Sequence, residues 1–182
     1  MDGRGDRGRR HGDRLAPLVL TAAAPDDADE IAAVRNAAAD DLTARFGNGF
    51  WTSNVSGRNV LGGMRRRERV FVARASSRIV VTLSMQTRKP WAIDTKYFTP
   101  CRHPVYLTNM AVLPPFQRKA FGRRSLEAAV AIARTWPGDA IRLDAYDAAA
   151  GAGEFYLKCG FREVGRVVYK RTPLRYFEWI IP

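Results

Sequence analysis

The segment that decides the fold spans residues 109–124 and reads NMAVLPPFQRKAFGRR. An apolar, β-prone run ends at the double proline Pro114–Pro115, and a short polar loop then leads into a helix. Such a turn presents consecutive backbone N–H groups and the positive end of a helix dipole, which together favour a phosphorylated ligand. Four cationic side chains surround the turn: Arg118, Lys119, Arg123 and Arg124. The segment therefore predicts an anion-binding turn between a strand and a helix.

Outside this segment, length and composition are those of one globular domain. The chain has 182 residues, of which 46% are hydrophobic, and this is enough for a sizeable core. No apolar run reaches the roughly 20 residues of a membrane span. We predict a disordered basic tail over residues 1–15, without the apolar stretch of a secretory signal, followed by a single domain over residues 16–182.

The charge of the chain indicates an anionic partner. The formal net charge is +12, which is compatible with nucleic acid, a membrane surface or a polyphosphorylated cofactor. The excess is spread over the tail, the middle and the C-terminal part, so a generally basic surface explains it equally well. No recognised nucleic-acid-binding motif is found in the sequence, and we predict neither a specific nucleic acid nor a membrane as partner.

Cysteine and histidine content argues against a metal site. Cys101 and Cys159 lie far apart with no ligand spacing, and His11 and His103 are the only histidines in the sequence. Two ordinary thiols are typical of a reduced protein. We therefore predict no metal and a cytoplasmic location.

Periodicity and turn residues predict the order β-α-irregular-β-β-β-α-β-α-β-β. Strands are expected over residues 18–21, 70–75, 79–85, 105–113, 140–144, 164–170 and 174–181. The first helix should end near residue 45, the second should follow residue 122, and a short third helix should end at residue 159. Residues 50–64 are predicted to be irregular, and residues 88–104 to form a long loop.

Two segments resemble the GNAT superfamily of acyl-CoA-dependent N-acetyltransferases. In that family a strand leads to the pattern Gln/Arg-x-x-Gly-x-Gly/Ala at a helix start, and Gln117-x-x-Ala120-x-Gly122 fits it except at Ala120. Residues 155–161, FYLKCGF, resemble the family's later Leu-Tyr-Glu-Lys-x-Gly-Phe segment. The resemblance implies a GNAT-like α+β fold, in which a mixed sheet splays between its fourth and fifth strands, here residues 105–113 and 140–144.

The resemblance also implies acetyl-CoA as co-substrate and a set of residues that bind it. A bulge in the fourth strand should leave backbone N–H groups free for the pantetheine arm, and the turn should hold the phosphates. Ala120 would be strained if the turn needs positive φ there, and Ala149 replaces an asparagine that contacts the cofactor in many relatives. The expected binding residues are Met110, Ala111, Val112, Gln117, Arg118, Lys119, Ala120, Phe121, Gly122 and Arg123.

For catalysis the resemblance points to Tyr156, which matches a tyrosine thought to protonate the departing thiolate. A phenol is within proton-transfer range of a thiol, although buried tyrosines more often serve packing alone. The base that deprotonates the amine is open, since a water chain can replace a dedicated base. The candidates for it are Asp94, His103, Asp144, Asp147 and Glu178.

Together these features predict an N-acetyltransferase that moves an acetyl group from acetyl-CoA to a primary amine by direct attack in a ternary complex. Cys159 is not expected to act as a nucleophile, since no histidine is placed to activate it. The alternatives are a non-catalytic CoA-binding module and a basic nucleic-acid-binding protein. The acceptor, a small molecule or a peptide, should lie between residues 50–64 and the loop of residues 91–98, whose aromatic side chains favour a partly apolar or planar group. A homodimer is possible, as in many relatives.

Overall fold

The computed structural model describes residues 18–52, 54–66 and 68–182. The predicted tail, residues 1–15, lies outside them. Four α-helices are described: α1 (Ala28–Phe46), α2 (Gly57–Arg65), α3 (Phe121–Thr135) and α4 (Gly153–Lys158). The described strands are β1 (Thr21–Ala22), β2 (Arg69–Ala75), β3 (Arg78–Gln86), β4 (Pro104–Val112), β5 (Ala140–Tyr146), β6 (Arg162–Tyr169) and β7 (Thr172–Ile180).

The strands form one mixed sheet in the order β1-β2-β3-β4-β5-β7-β6. Every neighbouring pair is antiparallel except β4 and β5, which run parallel. A parallel pair needs a crossover connection, and α3 supplies it between these two strands. The predicted α+β fold with a mixed sheet is confirmed, as are the hairpin of β2 and β3 and the two final antiparallel strands.

Successive side chains of a strand point to opposite sides of the sheet. Both faces therefore carry apolar side chains, and helices cover them. On one face, α1 and α2 bury Ile31 and Val60 in a cluster with Val72, Val80 and Leu113. On the other face, α3 buries Leu126, Ala129 and Ala133 in a cluster with Leu83, Val105 and Ile141. The apolar positions of α3 recur at helical spacing, which is the pattern of a helix that lies on a core.

The long loop of residues 88–104 is a packed part of the structure. Ile93 and Phe98 are buried against Tyr106, Leu174 and Tyr176. The Tyr176 hydroxyl donates to the carbonyl of Ala92 and accepts from the backbone N–H of Asp94 at 3.2 Å. The loop therefore covers the part of the α1 face that the helices leave open.

The prediction that residues 50–64 are irregular is wrong where α2 forms. Ser56 caps this helix: its Oγ accepts from the backbone N–H of Asn59 at 3.3 Å, and Asn59 Oδ1 accepts from the backbone N–H of Ser56 at 2.9 Å. Three glycines within α2, which lower helix propensity, hid this capping box in the sequence. β1 is also shorter than predicted and begins at Thr21.

Three further observations bear on the predictions about membrane, metal and cysteine chemistry. None of the described helices is long and apolar enough to cross a membrane. Over the same residues, no group of three histidines, cysteines or carboxylates is arranged to hold a metal ion. Cys101 and Cys159 are both free thiols.

Candidate active site

A cleft opens where β4 and β5 stop pairing. The two strands pair only from Pro104 with Ala140 to Tyr106 with Arg142, whereas β3 stays with β4 as far as Val112 and β7 stays with β5 as far as Tyr146. Beyond Tyr106, the side of β4 that faces the cleft has no strand partner among the described residues. Its backbone groups are therefore available to a ligand.

A β-bulge distorts β4 inside this cleft. Thr82 pairs with Ala111 but Ser84 pairs with Thr108, so β4 carries one extra residue at this point. Asn109 absorbs it with a left-handed φ of +54°, a conformation that asparagine tolerates better than most residues. The bulge predicted for the fourth strand is thus present in the structure.

Glu68, at the start of another strand of the same sheet, holds this bulge in place. Its Oε1 accepts from Asn109 Nδ2 at 3.1 Å and from Thr108 Oγ1 at 3.4 Å. Glu68 is followed directly by β2, so the contact joins the start of one strand to the bulge of another. Sequence reasoning missed Glu68, because its partners lie some 40 residues away.

The turn between β4 and α3 has the shape of an anion-binding loop. Arg118 and Ala120 both adopt left-handed backbone conformations, with φ values of +56° and +62°. Gln117 Nε2 donates to the carbonyl of Val112 at 3.0 Å and ties the turn to the strand. Left-handed residues beside a helix start gather N–H groups and the positive end of the helix dipole. Ala120 therefore has the positive φ that strains an alanine.

A cavity of about 450 Å³ lies beside this turn, and we call it the turn cavity. Eight of the ten residues predicted to bind the cofactor line it: Met110, Ala111, Val112, Gln117, Arg118, Ala120, Gly122 and Arg123. Lys119 is exposed and Phe121 packs edge-on against Phe116, and neither lines the cavity. Gly122 keeps the wall open, since a Cβ at this position would meet the Phe155 ring at 3.0 Å.

A second cavity, of about 420 Å³, follows the diverging strands, and we call it the strand cavity. Its lining comes from β4, from β5 and from the segment before α4, and it includes Asn109, Asp144 and Tyr146. It shares Leu42, Met110, Ala152 and Tyr156 with the turn cavity. The two cavities therefore meet at Met110 and Tyr156.

Tyr156 stands at this meeting point. Its side chain is 6% exposed and packs against Phe161 and Phe177, and its hydroxyl makes no hydrogen bond with any described residue. Burial, together with the negative charge of Asp144, raises the pKa of Tyr156 well above its usual range. The phenol is thus protonated at neutral pH and has a free hydroxyl.

Asp144 is the only one of the five base candidates that lines either cavity. The carboxylate is half-buried, and burial raises its pKa above the ordinary value. No described lysine or arginine forms an ion pair with it. A carboxylate with a raised pKa can accept a proton more readily than an exposed one.

The other four candidates lie elsewhere, in structural contacts. Asp94 pairs with Lys96 at 3.0 Å and Asp147 pairs with Arg166 at 3.2 Å. His103 Nδ1 lies 3.6 Å from an Asp139 oxygen. Glu178 is buried and accepts from Thr99 and Arg162.

Tyr146 forms the aromatic wall of the strand cavity. Phe50 stacks on its ring with 5.9 Å between the ring centroids, and the centroid of the Trp51 ring lies 6.4 Å from that of Tyr146. The Tyr146 hydroxyl donates to the carbonyl of Phe50 at 3.0 Å. From the predicted aromatic loop, Phe98 lies in the core and Trp91 is 83% exposed, and neither lines this cavity. Tyr146 was missed because its strand was expected to end two residues earlier.

The fold is similar to those of solved acetyltransferases. A GNAT-family acetyltransferase from Streptococcus agalactiae superposes with a TM-score of 0.71 at 13% identity, covering 90% of this chain and 95% of its own. A putative acetyltransferase from Salmonella typhimurium, solved with its cofactor acetyl-CoA, gives 0.66 at 17% identity, with 91% and 95% covered. The ribosomal-protein-S18-alanine N-acetyltransferase from Escherichia coli gives 0.66 at 15% identity, with 90% and 94% covered. These similarities confirm the predicted GNAT-like fold.

Sequence comparison shows the family to which the chain belongs. A search of curated protein sequences finds no match. The family model described as the acetyltransferase (GNAT) domain matches residues 66–163, which is more than half of the chain and includes the bulge, the turn and Tyr156. The protein therefore belongs to the GNAT acetyltransferase family.

Proposed function

We propose that this protein transfers the acetyl group of acetyl-CoA to a primary amine by direct attack in a ternary complex. The observation that supports this best is the meeting of two cavities at Met110 and Tyr156. A donor and an acceptor can enter from different sides and bring their reacting atoms together there. Acetyl-CoA supplies the acetyl group, activated as a thioester.

The residues of the turn cavity fit this co-substrate. The left-handed turn at Arg118 and Ala120 and the start of α3 offer N–H groups and positive charge to phosphates. Met110, Val112 and Phe155 offer an apolar wall to the pantetheine arm. Lys119 and Phe121 lie outside the lining, and a role for them in binding stays a prediction.

The chemistry conserves atoms and charge. The ammonium form of the amine and acetyl-CoA give the acetamide, free CoA thiol and one proton, with a C–N bond formed and the C–S bond broken. Asp144 accepts the proton that frees the amine lone pair. The unpaired N–H groups of β4 beside the bulge stabilise the charge that develops on the carbonyl oxygen, and each such donor is worth about 3–4 kcal/mol in other acyl transfers.

Tyr156 donates the proton that the departing sulfur takes up. Its hydroxyl is unpartnered at the junction of the cavities, and it is protonated because burial raises its pKa. The amine nitrogen loses its second proton as the amide forms, and this proton returns to the phenolate, whose raised pKa makes it a strong base.

We also propose that residues 16–182 act as one domain that carries both cavities, since all described strands belong to one sheet. A cytoplasmic location and a homodimer stay predictions. Ala149 is exposed and lines neither cavity, so the asparagine contact known from relatives has no counterpart at that position.

Two measurements test the proposal. We expect acetyl-CoA to raise the melting temperature, and we expect free CoA thiol to appear with a thiol reagent only when a primary amine is added. Stabilisation without thiol release across a broad amine panel would instead support the non-catalytic CoA-binding module. Absence of any stabilisation by acetyl-CoA at millimolar concentration would overturn both.

A further inference from the structure

The strand cavity differs in charge from the rest of the molecule. The chain carries a net charge of +12, yet among the described residues no lysine or arginine lines this cavity. Asp144 is the one carboxylate among the described residues of the lining, and no described cation pairs with it. A half-buried carboxylate without a cationic partner is costly in a folded protein. A ligand that brings one positive charge to Asp144 would remove that cost.

Apart from Asp144, the lining is mostly apolar or aromatic, and Thr108 and Asn109 are its other polar side chains among the described residues. Most of the lining is formed by Leu42, Leu107, Met110 and several alanines. Tyr146 lies two residues after Asp144 in β5, and both residues line the cavity. Phe50 and Trp51 hold the Tyr146 ring from behind. Such a wall suits a single hydrophobic or aromatic group, and an aromatic face also attracts a nearby cation.

We propose that the acceptor is a small monoamine with one apolar or aromatic substituent, whose ammonium group binds Asp144 and whose substituent lies against Tyr146. This inference rests on the proposed acetyltransfer and names its substrate class. The volume of about 420 Å³ lies near the lower end of the usual range for small-molecule sites.

The same features disfavour other amines. A polyamine or an aminoglycoside would bring further ammonium groups into a cavity that no second described carboxylate lines, inside a protein that repels polycations. A free amino acid would bring a carboxylate close to Asp144, and no lysine or arginine in the described part of the lining could receive it. The monoamine lacks both penalties.

A matched set of acceptors tests the proposal in the full-length protein. 2-Phenylethylamine and phenylalanine differ only by a carboxylate, spermidine adds positive charges, and a short peptide with an N-terminal alanine adds a chain. We expect kcat/KM for 2-phenylethylamine to exceed that for each of the others by at least about 100-fold, because an unpaired buried charge costs several kcal/mol. A preference for spermidine, phenylalanine or the peptide would overturn the proposal.

Substitution of the carboxylate tests its role in selectivity. In Asp144→Asn we expect the ratio of kcat/KM between 2-phenylethylamine and phenylalanine to fall at least about 10-fold, since the repulsion of the phenylalanine carboxylate vanishes while the lost attraction of the ammonium group affects both substrates alike. Asp147→Asn, three residues further along and paired with Arg166 outside the cavity, should keep the wild-type ratio. An unchanged ratio in Asp144→Asn would contradict the assignment.

The failure of this inference can be told from the failure of acetyltransfer itself. Thiol release with spermidine alone would leave acetyltransfer intact and exclude the monoamine class. Absence of thiol release with every amine, together with no thermal stabilisation by acetyl-CoA, would remove the activity on which the inference rests.

Discussion

At the scale of single residues, Ala120 keeps a left-handed backbone that its side chain disfavours. Its φ of +62° and ψ of −1° place the Cβ close to the following carbonyl, at a cost of roughly 1–2 kcal/mol. Glycine has no Cβ and adopts this conformation freely. The left-handed conformation persists because β4 and α3 fix both ends of the turn.

We therefore predict that Ala120→Gly stabilises the protein by about 1 kcal/mol, which corresponds to a rise in melting temperature of about 2–4 °C for a chain of this size. The same substitution at the exposed helical residue Ala131 should have the opposite sign and destabilise by about 1 kcal/mol. Thermal unfolding without ligand measures both. A lower melting temperature for Ala120→Gly would show that the turn is not strained at this position.

Tyr156 allows a test that separates catalysis from packing. We predict that Tyr156→Phe lowers kcat by about 100-fold or more, because a general acid contributes at least that much. The melting temperature and the KM for acetyl-CoA should change little, since the hydroxyl has no hydrogen-bond partner among the described residues. Steady-state kinetics with 2-phenylethylamine gives these numbers. An unchanged kcat would mean that the ring serves packing alone.

The pKa of Asp144, the proposed base, also affects the stability of the fold. Burial raises the pKa of its carboxyl above 3.8, so the folded protein holds the proton more tightly than the unfolded chain does. The stability associated with this group is therefore greatest at low pH and declines as pH rises through the folded-state pKa. At neutral pH the ionised carboxylate destabilises the fold.

It follows that Asp144→Asn should raise the melting temperature at pH 7, by about 2–4 °C for each kcal/mol of destabilisation that the substitution removes. It should also lower kcat at the same pH. Below pH 4 the two proteins should melt at closer temperatures, because the wild-type carboxyl is then protonated. Asp147→Asn serves as the control and should not raise the melting temperature. If Asp144→Asn melts below the wild type at pH 7, the ionised carboxylate does not destabilise the fold.

At the scale of the element, the bulge of β4 depends on a contact from another strand. Glu68 accepts from both Asn109 and Thr108, and Asn109 carries the left-handed φ that sets the direction of the amides beyond it. These amides lie at the junction of the two cavities. We therefore infer that Glu68 is a positioning residue, which would act on the proposed catalysis through the backbone.

We predict that Glu68→Ala lowers kcat by roughly 10-fold, because loss of one aligned donor is worth about 10²–10³ and misalignment costs part of that. The double variant Glu68→Ala with Asn109→Gly should recover most of the activity, since glycine adopts the left-handed conformation without support. Kinetics of the wild type, both single variants and the double variant form the complete test. If the double variant is no faster than Glu68→Ala, the contact does not act through the bulge.

At the scale of the whole molecule, a polar cluster around the buried side chains of Glu178 and Arg142 ties the long loop to the C-terminal half of the sheet. Glu178 on β7 accepts from Thr99 in the loop and from Arg162 on β6. Arg142 on β5 donates to the carbonyl of Thr99 and lies over the Phe98 ring at 5.0 Å. Three strands and the loop thus depend on one another for satisfied hydrogen bonds.

The pKa of Glu178 gives this cluster a defined pH dependence. Burial acts to raise its pKa, but the bonds from Thr99 and Arg162 outweigh burial and hold it below 4.5. The stabilisation is therefore fully present above about pH 4.5 and is lost as pH falls through the folded-state pKa. We predict that Glu178→Ala destabilises by about 1–3 kcal/mol at pH 7, because the hydrogen bonds from Thr99 and Arg162 to a buried carboxylate are lost.

The difference between Glu178→Ala and the wild type should shrink as pH falls below 4.5, which thermal unfolding at several pH values measures. Asp41→Asn breaks an exposed helical pair with Arg45 and should change stability by less than about 1 kcal/mol. A difference that stays constant with pH would show that the charge of Glu178 is not what holds the loop.

The sequence by itself determined the local elements. The double proline, the polar turn and the helical spacing of Leu126, Ala129 and Ala133 act within a few residues of one another, and together they predicted the strand, turn and helix at which the site lies. The two motifs around Gln117 and Tyr156 indicated the family on the same local basis. Local patterns were misleading at α2: its glycines lower helix propensity, so the helix that begins with a capping box was not predicted.

Only the tertiary structure decided which residues form the candidate site. The sequence left the conformation of Ala120 and the choice among five possible bases open, because both depend on chain segments that are distant in sequence. β4 and β5 pair at one end and diverge at the other, and this divergence creates the cavities that Asp144, Tyr146 and Tyr156 line. Glu68 acts on them from outside, through its contact with Asn109. A cavity is a property of packing between elements, and no pattern within one element encodes it.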